Sequence, residues 1–144
     1  MKKHLKIISL LLVCCCFVSL LASCANAPTD LDEAVEKEII DAFVAAHSQD
    51  SYPVTDDEIS LRCYGSFDGV YVLFVDVAGW ASTTEIKQEV VANVKFVYSN
   101  GQTLTVYADG AFYSLSDAYK NRILSRQDLI AVQRNYKSDH QYLY

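Results

Sequence analysis

The chain has 144 residues, enough for one domain with a real core and too few for two comfortable ones. Its formal charge of −6, from 12 Lys and Arg against 18 Asp and Glu, disfavours nucleic acid as a partner and direct adhesion to anionic membrane surfaces. Five cysteines could suggest a disulfide framework, so their distribution along the chain has to be settled first.

The N-terminus reads as a secretory signal peptide. Lys2, Lys3 and Lys6 form a basic region, residues 7–21 are almost unbroken apolar sequence, and small residues follow. That apolar run is shorter than the roughly 18–20 residues needed to span a hydrocarbon core; a permanent anchor helix would require residues 22–27 to be counted in. Leu21-Ala22-Ser23-Cys24 resembles a bacterial lipobox. The resemblance implies that the Cys24 thiolate takes a diacylglycerol group and that the chain is cut just before it. The competing reading is an ordinary cleavage site with a chance cysteine.

The expected organisation is therefore a removed signal peptide at 1–23, a lipidated tether at 24–29, a single domain at 30–137 and a flexible tail at 138–144. Cys14, Cys15 and Cys16 leave with the signal peptide, so Cys63 is the one unmodified thiol of the mature chain and no internal disulfide can form. Loss of three lysines takes the mature net charge to −9. The lipid must then do the anchoring.

Residues 30–47 read as a helix, with Asp30 as cap, Glu33 three residues on, and Leu31, Val35, Ile39, Phe43 and Ala46 at helical spacing. Ile59, Leu61 and Cys63 alternate with Ser60, Arg62 and Tyr64, which predicts a strand. Asp68-Gly69 is turn chemistry, and the run 70–77 is apolar on both faces, as in a central strand. A third strand is expected over 87–98. Asn100-Gly101, a strong hairpin signal, would join it to a fourth at 103–108, closed by Asp109-Gly110. Ser114 with Asp117 and Ser125 with Asp128 fit the capping pattern of two short helices at 115–122 and 126–136. The expected fold is α+β: an N-terminal helix packed on a four-stranded antiparallel sheet, followed by two short C-terminal helices.

Within 110–132, Phe112, Tyr113, Leu115, Ala118 and Tyr119, followed by Leu124, Ser125, Asp128 and Leu129, carry a second resemblance. It is similar to a Phe-Tyr-x-Leu-x-x-Ala-Tyr helix and Leu-Ser-x-x-Asp-Leu helix seen in small exported lipoproteins of Gram-positive bacteria. The pattern there has a glycine near Asn121 or Arg122, which this chain lacks. The resemblance implies a fold and no activity.

Candidate chemistry is sparse. Cys63 alternates in phase with Ile59 and Leu61, which places it in the core rather than in a Cys–His dyad with His47 or His140. Those ligands are too few and too scattered for zinc, and Asp56-Asp57-Glu58 lacks an EF-hand's alternation, so neither a metal nor a cofactor is expected. Asp76 interrupts an apolar strand and is expected to pair with Lys95 or Arg62. Trp80 lies in a break of small residues, either capping the core or offering a flat face to a sugar or a protein. Tyr64 and Tyr107, on polar-phase strand positions, could share a binding surface with Arg62, Val72, Phe74, Lys95 and Thr105.

The functional expectation is a lipid-anchored binding or interaction module on the outer face of the bacterial cytoplasmic membrane, with no catalytic residue, its partner an envelope protein or cell-wall glycan. Two other readings compete. One is a small envelope hydrolase using carboxylates such as Asp76 and Asp109; the other is a passive inhibitory or structural protein.

Overall fold

A computed structural model describes residues 28–144; Cys24, the signal peptide and the first part of the tether lie outside the described residues. Chain pairing begins at Thr29, whose N–H donates to Cys63 O at 2.8 Å. This bridge holds the segment extended and delays the first helix, so α1 spans Glu33–Ala46 and is capped by Asp32 rather than Asp30. The Asp32 carboxylate accepts from Ala34 N–H at 3.0 Å. His47 closes the helix, with Nδ1 2.9 Å from Phe43 O.

A 3-10 turn at Asp56–Glu58 leads into β1 (Ile59–Phe67), and Asp68-Gly69 folds it back on β2 (Val70–Val77). The stretch expected as one strand at 87–98 is a hairpin, β3 (Lys87–Val91) and β4 (Val94–Tyr98). Ala92 and Asn93 both adopt positive φ, 51° and 62°, the geometry of a two-residue hairpin turn. Asn100-Gly101 makes a similar turn, yet the strands flanking it enter different sheets. β5 (Thr105–Ala108) pairs with β2, and Asp109-Gly110 turns it into β6 (Ala111–Ser114). Two antiparallel sheets result, ordered β1-β2-β5-β6 and β3-β4. With helices on both sides of the larger sheet, the fold is α+β.

Ser114 and Ser125 cap α2 (Leu115–Lys120) and α3 (Arg126–Asp139), as the capping pattern predicts. Where the resemblance calls for glycine, Arg122 takes the left-handed conformation at φ 59° and lets the chain reverse. Residues expected as a loose tail continue α3 to Asp139 and end in a 3-10 turn at Gln141–Leu143. Among the described residues no helix is long and apolar enough to cross a membrane.

Both faces of the large sheet are covered. α1 lays Ile39 on Cys63, Leu73 and Tyr107 on one face. On the other, Tyr64, Val72, Phe74 and Val106 pack against Phe96 and Tyr98 of the hairpin and Leu129, Val132 and Tyr136 of α3. Gly65 lies directly against α3. A Cβ there would lie 2.8 Å from Val132 Cγ2 and 2.5 Å from the Phe67 ring. Gly65→Ala is accordingly expected to cost about 1–3 kcal/mol by overpacking. A denaturation midpoint unchanged from the parent would show that the contact relaxes freely.

Side chains also satisfy the outer edge of β4. Gln133 Nε2 donates to Lys95 O at 3.3 Å and Val97 N–H donates to Tyr144 Oη at 3.2 Å, while Arg126 Nε donates to Ala92 O at 3.2 Å in the turn before the strand. The opposite edge belongs to β3, where Val90 is 63% exposed and Ile86, just before the strand, 61%.

Candidate functional site

The strands of the large sheet have unequal lengths, and the mismatch makes a cleft. Leu73↔Thr105 is the last pair between β2 and β5, whereas β2 runs on through residues 74–77 paired only with β1. The chain from Ser99 to Leu104 diverges instead of completing the sheet, because it must cross over from the hairpin. Ala78 N–H donates to Glu58 O on the β1 side, so strand alternation turns the backbone N–H and C=O of Val75 the other way, into the gap.

Trp80 stands at this gap. Its indole lies 6.0 Å from the ring of Phe43 on α1 and 5.7 Å from that of His47 at the helix's C-terminal cap, and it remains 54% exposed. It thus leans on the end of the core and still presents a large surface to solvent. On the α3 side is a hollow of about 500 Å³ lined by polar groups including Arg62, Asp76, Asn100, Gln102 and His140. On the α1 side a second hollow of about 420 Å³ is walled by Phe43, Val75 and Phe112, with Thr103 and Thr105. Asp76, Trp80, Ser82, Asn100 and Gln102 border both, so one cleft wraps around the Trp80 loop.

Asp76 is exposed and accepts from Gln102 Nε2 at 3.0 Å. The expected pairing with Lys95 or Arg62 is not formed. Arg62 instead lies 3.8 Å from Asp139, an exposed pair of small energetic weight. Asp109 sits beyond Ala108, which pairs with Val70 at the far end of β2. Strand rise places it about 20 Å from Asp76, too far for a carboxylate pair acting on one bond.

Tyr64 and Tyr107 do not share a surface. Both are buried, and they face opposite sides of the sheet. A bulge at Tyr64, between the Cys63↔Leu73 and Gly65↔Val72 pairs, drives its ring into the α3-side core. Its hydroxyl donates to Asp139 at 2.5 Å, and burial first, then that carboxylate, pushes the phenol pKa well above its ordinary value. Tyr107 donates to Glu38 at 2.7 Å, its pKa raised to about 12 by burial and that hydrogen bond. Val72 and Phe74 are likewise core, so the open aromatic patch considered from sequence does not exist. Cys63 is buried, its Sγ donating to Gly65 O at 3.2 Å, and burial raises the thiol pKa, which works against nucleophilic use.

Sequence reasoning reached Trp80 but missed Asn100, Gln102 and His140 as its neighbours. Asn100 reads as half of a hairpin turn, His140 as tail, and Gln102 carries no signal of its own. The signal that could have found them is the mismatch between the eight-residue β2 and the four-residue β5, which a strand count conceals. Comparison with family models, curated proteins and solved structures returned no match to this chain.

Proposed function

We propose that the protein is a lipoprotein tethered through Cys24 to the outer face of a bacterial cytoplasmic membrane, where it acts as a binding module rather than a catalyst. The observation that carries the binding reading is Trp80, an indole more than half exposed at the meeting point of two hollows. Leaving such a ring in water is unfavourable without a partner, and clefts built around one exposed aromatic and a few convergent polar groups are the usual form of a ligand site. The tether rests on the basic region, apolar core and lipobox-like Leu21-Ala22-Ser23-Cys24. Its partner is a component of the cell envelope, protein or cell-wall glycan. Among the described residues the cleft is bordered by a single carboxylate, Asp76, which gives a two-carboxylate hydrolase no second group.

Cross-linking on intact cells tests both halves, using the parent chain beside Trp80→Ala and Cys24→Ala. The parent is expected to yield a discrete adduct that Trp80→Ala loses, and Cys24→Ala to appear unprocessed or released from membranes. Lipid-modified Cys24→Ala protein would defeat the tether. An adduct indifferent to Trp80, or none at all, would defeat the cleft as binding site.

A further inference from the structure

The cleft has three chemically different parts, and a single ligand class uses all of them. Trp80 offers a flat apolar face of the kind that stacks on the C–H side of a sugar ring. Beside it, Asp76, Asn100 and Gln102 supply planar side chains, with Ser82 a hydroxyl, that can give and take hydrogen bonds from neighbouring ring hydroxyls. Asp76 and Gln102 are already held 3.0 Å apart, so both are oriented before any ligand arrives. The third part is the α1-side hollow. Its walls of Phe43, Val75 and Phe112 suit a methyl group, and the strand edge of Val75 turns an amide N–H and a C=O into the same space. An apolar wall next to a free backbone donor and acceptor is complementary to an acetamido group, whose methyl would meet the wall while its C=O accepts from that edge or its N–H donates to it.

Resting on the binding reading above, we infer that the Trp80 cleft binds an N-acetylated amino sugar, with the pyranose ring on the indole, hydroxyls on Asp76 and Gln102, and the acetamido group against Val75.

The single tryptophan makes the test direct. The full chain is titrated in a sugar-free zwitterionic detergent with the β-1,4 tetramer of N-acetylglucosamine, then with the matching glucose tetramer, following Trp80 emission. A saturable change is expected with the N-acetylated tetramer, and binding of the glucose tetramer weaker by about tenfold or more. Calorimetry is then repeated with Trp80→Ala and with Gln102→Ala, two changes outside the buried core, each expected to weaken binding about tenfold or more. Equal affinity for the two tetramers would overturn the acetamido assignment. Binding unaffected by both substitutions would overturn the site, and no binding of either tetramer would overturn the sugar. In that last case a Trp80-dependent protein adduct on cells would leave the module standing with a protein partner.

Discussion

Raised above about pH 10, the protein is expected to unfold cooperatively, and its buried tyrosines to ionise only as it does so. Tyr64, Tyr98 and Tyr136 are fully or almost fully buried, and burial, the largest cause in each, pushes all three phenol pKa values far above the ordinary value of 10. Glu89 raises Tyr98 further, its carboxylate accepting from the Tyr98 hydroxyl at 3.0 Å. The sign follows from proton counts. Below the unfolded-state pKa of about 10, folded and unfolded chains both hold these protons, and the phenols favour neither. Above it the unfolded chain releases them while the folded chain cannot, so stability falls as pH rises.

Each fully protected phenol contributes at most ~1.4 kcal/mol per pH unit. Solvent screening at the hydroxyls of Tyr64 and Tyr136, and at Tyr107 beside exposed Glu38, brings the sum to on the order of 3 kcal/mol per pH unit. Against a total of about 5–15 kcal/mol, that suffices to unfold the domain within two or three pH units. Phenolate absorbance from Tyr64, Tyr98 and Tyr136 should appear only together with the change in Trp80 emission that reports unfolding. A single smooth titration of all ten tyrosines with the fold intact would refute this.

Leu129→Ala should be strongly destabilising, at about 2–5 kcal/mol. Leu129 is completely buried on α3, in the cluster where that helix, the β3-β4 hairpin and the large sheet meet. Removing its side chain leaves a hole bounded by elements from three parts of the chain, none of which can move in without losing other contacts. At roughly 4–8 °C per kcal/mol for a domain near this size, thermal unfolding should shift down by about 10 °C or more. Ile86→Ala, at an exposed position, should shift it little. Equal shifts for the two would mean that α3 does not hold the hairpin to the sheet.

Much of the fold was legible because it is written in short-range chemistry. The serine caps at 114 and 125 and the Asp-Gly turns at 68–69 and 109–110 reappear where their residues demand. What could not be read is where a strand stops and which partner it takes. Ala92 has no turn chemistry to announce its positive φ, so β3 and β4 looked continuous. Asn100-Gly101 has the strongest hairpin signature, yet its turn serves a crossover, because tertiary packing sends Val106 to a different sheet from Phe96 and Tyr98. Tyr64 was assigned to a solvent face by strict alternation, and one inserted residue in β1 reversed it. The cleft suffered most, since it consists of the space left where two strands fail to match. Only its largest side chain, Trp80, stood out in advance.

The asymmetry of the β3-β4 hairpin bears on how copies of the molecule could join. A two-stranded ribbon with both flanks bare can recruit a neighbour on each side and grow without end. Here one flank is occupied by Gln133 and Tyr144 of the same chain. At this ribbon a new strand could dock only beside β3, and a second molecule docking there through its own β3 would leave no bare flank on either. Growth at the hairpin therefore terminates at a pair, which is the difference between a reversible encounter and a fibre.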